Sequence, residues 1–560
     1  MRKAAWSAAL GFLALSGTAS GIARAADGGL APVPAAQATG YDRILETDLR
    51  ADLTFIASDA LQGRMSLQPG DDAAVQWIAA EFAKAGLQPA AKDANGAPSW
   101  YQAVPLVEYR PNPAANALTL RIGMAEQSWK APDVLGGYRD DVDLSGPLVF
   151  AGYGVTAPGV GYDDYKSLDV RGKIVLVFEH EPQENDPASR FGGTGNTRHA
   201  TNRVKALNAQ ARGALAVLVM AEPNRKHPSN LERYNRIGGS ARRVPPLPGQ
   251  ALLDDELRIP VLTVSDAVGT ALLAKAGMTP QALQAAIDGP LAPQSRPLGE
   301  TTVALHLENT ARRRGMSANV VGLLPGSDPA LAPETVIISA HHDHDGSTLD
   351  TGGNEIWHGA DDNGSGTVGV VALARAFMAN PVKPKRSILF AVFAAEERGL
   401  LGSYAMAMHP LRPLGTTRAM INFDMIGRNE APSDQTTGLI ELPSATTNRL
   451  NLIGASYSPD FDRTVRAANR SVGLDLDDRF DHENALNVFF RSDQFPFVLK
   501  DVPAMWFNTG FHPDYHHTTD TADRINYPKM TKIVKLAYLS AWRFASEAAP
   551  PAFVSDPAGH

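Results

Sequence analysis

Five motifs in the second half of this 560-residue sequence are rich in His, Asp or Glu: HHDHDG (341–346), GADDNGSG (359–366), AAEERGLLGS (394–403), INFDMIGR (421–428) and HPDYHHTTDTAD (512–523). Their side chains offer only nitrogen and oxygen ligands, which suit zinc and other divalent ions. Two His, one Glu and two Asp, one of them bridging, would hold two divalent ions about 4 Å apart, a known arrangement for hydrolysis.

Each motif taken alone also has an ordinary structural explanation. The His cluster can be a solvated loop, and the adjacent acids of 359–366 can form a turn and a helix cap. The acids at 396–397 can be a surface pair, Asp424 can be a satisfied cap, and the His pair at 516–517 can be solvated. Their joint occurrence at the ends of consecutive predicted strands favours the metal centre.

The elements that would position these side chains alternate between strand and helix from about residue 303 onward. Apolar strand-like or helical runs occupy 335–343, 367–380, 387–397, 418–425 and 502–508. This alternation predicts an α/β fold with a mixed, mostly parallel sheet and helices on both faces. Ligands of such sheets bind at the carboxyl ends of the strands, where the His, Asp and Glu residues fall.

The preceding part of the chain has a different texture. Helical periodicity indicates an N-terminal part of the main domain over 44–130, and β-rich segments with Gly/Pro-rich loops indicate an inserted module over 131–300. The catalytic domain is predicted over 301–548. An Ala/Pro/Gly-rich stretch at 26–43 is expected to be a flexible arm, and the tail at 549–560 is expected to be disordered.

The first 25 residues have the parts of a secretory signal peptide. Arg2 and Lys3 form a positive start, residues 4–15 are mostly apolar but too short to span a bilayer, and Ala23-Arg24-Ala25 gives an A-x-A cleavage pattern. We therefore expect an exported protein, periplasmic or secreted. Because the sequence contains no Cys, any metal site must use His, Asp, Glu and backbone ligands.

Several other functions are disfavoured. The formal net charge is −8 and the basic residues are scattered, so we expect no nucleic-acid partner. No later stretch is apolar enough for a stable membrane span. The sequence has no G-x-S-x-G motif for a serine hydrolase, and the Gly-rich segment 191–197 does not fit a nucleotide site. Nothing in the sequence indicates an oligomeric state.

The order and spacing of the five motifs resemble those of the co-catalytic zinc aminopeptidases related to glutamate carboxypeptidase II. The segment FIASDALQGRMS (55–66) is similar to one near the start of that family, and 151–177 looks like part of a protease-associated domain. The resemblance implies a zinc-peptidase fold with an inserted protease-associated domain. It also implies an aminopeptidase with two divalent ions, Zn²⁺ above all, that acts on peptides with a free N-terminus.

The resemblance also implies a role for each site residue. His341 and Asp424 would bind one ion, Glu397 and His516 the other, and Asp362 would bridge both. Glu396 would be the general base and Asp343 would orient His341. A cis peptide is expected between Asp362 and Asn363. Tyr515 and Arg491 are the expected substrate contacts; His516 is preferred to His517 because it directly follows Tyr515 and precedes Asp520 by four residues.

Two alternatives and two departures accompany this interpretation. A glutamate-type carboxypeptidase or dipeptidase would have the same metal ligands but needs a guanidinium for a terminal carboxylate, for which Arg491 and Arg428 are available. A non-catalytic binding protein of the same fold is disfavoured because all five ligands are present. The family's usual S-D-H is Ser492-Asp493-Gln494 here, and His342 is an additional His beside the expected ligand.

Overall fold

The computed structural model describes residues 29–240, 246–547 and 549–557. Its larger part is built on a ten-stranded sheet. In spatial order the strands are Gly249–Leu252, Tyr101–Pro111, Asn309–Leu324, Ser387–Phe393, Thr335–His341, Thr417–Phe423, Ala504–Asn508, Arg449–Ile453 and Asp475–Asp477, with Gln88–Pro89 paired to Asn309–Leu324. The four strands from Ser387–Phe393 to Ala504–Asn508 are mutually parallel, and the strands that flank them pair antiparallel to them. The predicted mixed sheet is confirmed.

Helices cover both faces of this sheet because successive side chains of a strand point to opposite faces. Val336 and Ile338 pack into the core formed with the larger helices, whereas Ile337 packs into the core on the other face. Both faces are buried, so the central strands are continuously apolar. The helices of this part are Ala35–Asp42, Glu46–Ile56, Pro69–Ala85, Gly366–Ala379, Leu401–Met408, Pro459–Asn469, Phe495–Val498 and Tyr527–Ser546.

The inserted module has its own eight-stranded sheet and its own apolar core. Its strands, in spatial order, are Ala125–Trp129, Ala117–Ile122, Arg296–Leu307, Val142–Phe150, Ile174–Phe178, Ala216–Met220, Val261–Val264 and Val134–Leu135. Its helices are Asn202–Gln210, Asn230–Ser240, Asp266–Leu272 and Pro280–Asp288. The sheet therefore includes residues 117–129, which the sequence analysis gave to the main domain, and one segment inside the predicted insert, Gly249–Leu252, pairs with the main sheet.

The two terminal segments depart from the expectations. Within the predicted flexible arm, Ala35–Asp42 is a helix, and Asn380 fixes it by accepting from Gly40 N at 3.0 Å and donating to Ala36 O at 2.8 Å. Composition alone could not show these tertiary hydrogen bonds. The described part of the tail is also held, because Val554 N donates to Tyr457 O at 2.9 Å and Ser458 Oγ donates to Ala552 O. The predicted signal peptide lies outside the described residues.

None of the helices in the described part of the chain combines the length and apolarity that a bilayer crossing requires.

Candidate metal centre

The five predicted ligands come from loops that meet at one edge of the main sheet. His341 is the last residue of its strand, Asp424 directly follows Thr417–Phe423, and Glu397 lies shortly after Ser387–Phe393. These three strands are parallel neighbours, so their carboxyl ends lie side by side. Asp362 is in the turn that leads into Gly366–Ala379, and the peptide from Asp362 to Asn363 is cis, as predicted. The loop after Ala504–Asn508 brings in His516.

His341 is the centre of one half of the cluster. Its Nε2 lies 3.5 Å from Asp424 Oδ1, 3.4 Å from Asp362 Oδ1 and 3.7 Å from Glu396 Oε2. His341 is fully buried, and the three carboxylates are nearly so. This half therefore places one imidazole nitrogen and three carboxylate oxygens around one point.

His516 is the centre of the other half. Its Nε2 lies 3.1 Å from Asp362 Oδ2 and 3.3 Å from Glu397 Oε2. Asp362 thus directs one carboxylate oxygen to each half, which is the geometry that a bridging ligand needs. His517 does not take part: its Nδ1 lies 2.7 Å from Tyr515 O.

The cluster fits divalent ions on the evidence of its own unsatisfied atoms. His341 Nε2, Asp424 Oδ1 and His516 Nε2 are buried and have no hydrogen-bond partner among the described residues. Buried polar atoms normally have a partner, because an unsatisfied one costs free energy. Imidazole nitrogens and carboxylate oxygens that converge without partners are the ligand set of zinc in proteins.

Asp343 positions the acids more than it positions His341. Its carboxylate accepts from Glu396 N at 2.9 Å and from Glu397 N at 3.3 Å. The His341 ring Nδ1 lies 3.2 Å from the backbone oxygen of Asp343 and 3.6 Å from its carboxylate. The carbonyl is therefore the nearer acceptor for the His341 ring. The Asp343 carboxylate instead fixes the backbone of residues 396–397, which directly follows Ala395 with its positive φ of 53°.

Other side chains hold the remaining ligands. Ser492 Oγ donates to Asp424 Oδ2 at 2.6 Å, so the serine of the altered S-D-Q segment contacts a metal-ligand candidate directly. Asp520 Oδ2 accepts from the backbone nitrogens of Asp361 and Asp362, at 2.9 and 3.1 Å. Ser492 therefore orients the Asp424 carboxylate, and Asp520 holds the backbone that carries Asp362, as supporting hydrogen bonds commonly do in metal sites.

The sequence analysis missed two residues of the HHDHDG motif. His344 Nδ1 lies 2.6 Å from Glu397 Oε1, and Asp345 Oδ2 lies 3.0 Å from His516 Nδ1. Alternation along an extended segment could have found Asp345, since residues 341, 343 and 345 would share one side, but it gives no signal for His344. His342 points away, to Asp71 Oδ1 at 2.7 Å and Ala318 O at 3.1 Å, and does not compete as a ligand.

Burial and neighbouring charges separate the acids electrostatically. Burial raises the pKa of Glu396 well above its ordinary value; His341 opposes the shift, and Asp424 and Asp493 add to it. Burial also acts to raise the pKa of Asp362, but the close imidazole rings of His341 and His516 outweigh it and lower the pKa well below the usual range. The two pKa directions agree with Asp362 as an ionised ligand and Glu396 as the group that carries a proton.

The two expected substrate contacts lie beside the cluster. Arg491 Nη2 donates to Tyr515 Oη at 3.2 Å, and the Tyr515 ring packs on His516 with centroids 4.1 Å apart. A cavity of about 490 Å³ lies between the insert and the main domain, and residues 398–401, directly after the two glutamates, form part of its wall. The fold and this cluster have the arrangement that a metallopeptidase requires.

Residues 319–540 match peptidase family M28, and residues 144–272 match the PA domain. The two regions thus match a peptidase model and a protease-associated model, and the resemblance drawn from the motifs is confirmed. It is 26% identical over 326 residues to aminopeptidase YwaD of Bacillus subtilis, a match that covers 56% of this chain and 55% of that protein.

Two further proteins are similar. The probable aminopeptidase YDR415C of Saccharomyces cerevisiae is 34% identical over 224 residues, covering 38% of this chain and 55% of that one. An aminopeptidase structure from Aneurinibacillus sp. strain AM-1 aligns with a TM-score of 0.49 and 20% identity, covering 93% of this chain and 98% of that chain. The chain spans about half the length of the two curated relatives.

Proposed function

We propose that this protein is an exported two-zinc aminopeptidase. The observation that supports it best is the position of Asp362, whose two carboxylate oxygens face His341 in one half of the cluster and His516 in the other. His341 and Asp424 would hold one ion, and Glu397 and His516 the other. When bound, such a pair lowers the pKa of water and polarises the scissile carbonyl.

Glu396 would carry the proton in this reaction. Its carboxylate borders the His341 half, and the five proposed ligands leave it free for this role. It would accept a proton from the attacking water and return it to the leaving amine. Asp343 holds the Glu396 backbone nitrogen and so fixes where that carboxylate stands.

The relatives favour a free amine as the recognised end of the peptide, because the two curated proteins compared above are an aminopeptidase and a probable aminopeptidase. Arg428, one guanidinium considered for a terminal carboxylate, is already paired with Asp514 at 2.6 Å.

The second candidate function is that of a glutamate-type carboxypeptidase or dipeptidase, and the observation that supports it is the environment of Arg491. Its Nη1 and Nη2 donate to the neutral groups of Gln435 and Tyr515, at 3.3 and 3.2 Å, and its guanidinium lies over the Phe511 ring. A guanidinium with neutral partners is available for a substrate carboxylate.

Three forms of one dipeptide separate the two activities: the free dipeptide, its N-acetylated form and its C-terminal amide. An aminopeptidase hydrolyses the free dipeptide and the amide but not the acetylated form, whereas a carboxypeptidase hydrolyses the free and acetylated forms but not the amide. A chelator should abolish either activity, and added Zn²⁺ should restore it. Hydrolysis of the acetylated form alone among the two blocked peptides would overturn the aminopeptidase proposal.

Export is part of the proposal and rests on the N-terminal sequence. N-terminal sequencing of protein recovered from a Gram-negative expression host tests it. Cleavage after Ala25 and recovery outside the cytoplasm are expected. A cytoplasmic protein that retains Met1 or Arg2 at its N-terminus would contradict export.

A further inference from the structure

A second buried cluster of His and Glu lies in the insert. His180 and Glu222 each follow by two residues the end of a strand, Ile174–Phe178 and Ala216–Met220 respectively. These strands are parallel neighbours in register, so the two side chains meet at the carboxyl edge of the second sheet. Glu184 and His227 complete the cluster from the loops that follow.

The four side chains point at one another. His180 Nδ1 lies 2.8 Å from Glu222 Oε1 and 3.1 Å from Glu184 Oε2. His227 Nε2 lies 2.6 Å from Glu184 Oε1 and 3.1 Å from Glu222 Oε1. All four side chains are at most 2% exposed, and the four ligand atoms lie within 4.8 Å of one another.

Two features indicate that this cluster can bind a cation. Glu222 Oε2 and Glu184 Oε2 are buried and accept no well-aligned hydrogen bond from the described residues, although Glu184 Oε2 lies 3.1 Å from His180 Nδ1. In addition, His227 Nδ1 lies 3.0 Å from Pro228 O; a proton on this nitrogen would leave the Nε2 lone pair facing the glutamates. Arg233 Nη2 also lies near His227 Nδ1, but it has its own acceptor in Asn484 O at 3.1 Å.

We propose that His180, Glu184, Glu222 and His227 form a third, structural site for a divalent transition-metal ion of the Zn²⁺ type. Two nitrogens and two oxygens are a tetrahedral ligand set for zinc. Two carboxylates with two neutral imidazoles carry a charge of −2, which one divalent ion neutralises. Zinc bonds of about 2.0–2.2 Å would require the four atoms to move apart by roughly half an ångström.

The position of the site suggests what it does. Asn487 Nδ2 of the main domain lies 2.7 Å from His180 Nε2, and this amide would turn its oxygen to the ring when His180 Nδ1 binds the ion; Asn484 Nδ2 donates to Glu184 O at 3.0 Å. An ion here would therefore fasten the insert to the 484–491 segment, which ends at Arg491. The cavity between the two domains is lined in part by His180 and Asn487 and provides a path of entry.

Metal content per chain tests the proposal. The full chain is incubated with Zn²⁺, freed of excess ion by gel filtration and analysed by inductively coupled plasma mass spectrometry, alongside His227→Ala, Glu222→Gln and His516→Ala. We expect about three ions in the unsubstituted protein and one fewer in each of His227→Ala and Glu222→Gln. The matched control His516→Ala should also lose an ion, but from the other cluster, so His227→Ala/His516→Ala should lose two.

The readout is the difference between the unsubstituted protein and the two insert variants, and it does not depend on peptide hydrolysis. Equal zinc content in all three would overturn the third site even if the enzyme is active. A unit difference would support it even if no peptide is cleaved. If neither insert variant folds, His341→Ala/His516→Ala decides: one retained ion would support the third site, and none would show that protons on both imidazoles, rather than a metal, balance the glutamates.

Discussion

The cluster of the main domain and the cluster of the insert use the same residue types at the same kind of place, the carboxyl ends of parallel strands. They differ in what surrounds the ligand atoms. The insert cluster has four ligands in two short segments, 180–184 and 222–227, and is closed. The main cluster gathers residues from 341 to 516 and has more carboxylates than two imidazoles require.

This difference separates a structural site from a catalytic one. Structural zinc sites are filled by protein ligands, whereas catalytic sites keep a position for water or substrate. The surplus carboxylate of the main cluster is Glu396, whose raised pKa suits it to carry a proton. In the insert both glutamates are needed to face the two imidazoles.

Replacement of Glu396 should have the largest effect. In Glu396→Gln we expect kcat to fall by about 10²–10⁴-fold, the range of general acid–base catalysis, with zinc content unchanged. Steady-state hydrolysis of a free-amine dipeptide and metal analysis measure both quantities. Glu334→Gln is the control, because Glu334 lies at the opposite end of the strand that carries His341. Near-normal turnover in Glu396→Gln would contradict the role of Glu396 as the proton carrier.

Replacement of Asp343 should have the second-largest effect on activity. Asp343→Ala removes the acceptor of two backbone N–H groups, so Glu396 and Glu397 would no longer be held in place. We expect activity to fall by about 10–100-fold, as for other supporting residues of metal sites. Asp343→Asn should recover part of this loss because its amide oxygen can still accept from Glu396 N. Equal losses in the two variants would contradict this role.

Asp345 and His344 test whether the residues that the sequence analysis missed belong to the centre. Asp345→Asn weakens the acceptor facing His516 Nδ1, and His344→Ala removes the contact to Glu397 Oε1. Each should lower zinc affinity of the His516 half by about 10-fold or more. Competition with a fluorescent zinc chelator measures this. His342→Ala is the neighbouring control and should keep the affinity of the unsubstituted protein.

The smallest expected effect is that of Tyr515→Phe. The variant loses the hydrogen bond from Arg491, worth about 0.5–1.5 kcal/mol, and keeps the ring on His516. We expect a two- to tenfold decrease in kcat/KM at this scale. A decrease as large as that of Glu396→Gln would mean that the Tyr515 hydroxyl contributes to the chemical step.

Strand patterns predicted the main sheet, and the family resemblance implied the ligand set His341, Asp362, Glu397, Asp424 and His516, which the structure brings together. The sequence could not predict that Asp343 would hold the 396–397 backbone, since that contact joins two strands. The start of the insert at Ala117 was missed because strands of the insert and of the main sheet have the same alternating pattern. The helix Ala35–Asp42 depends on Asn380, which is distant in sequence.

Anomalous diffraction from zinc-loaded crystals tests the central claim most directly. The account predicts two peaks about 3.5–4 Å apart, one beside His341 and Asp424, the other beside Glu397 and His516, with Asp362 between them. Each ion should lie about 2.0–2.2 Å from its ligand atoms. A map with a single peak in this cluster, or with none, would contradict a two-metal centre.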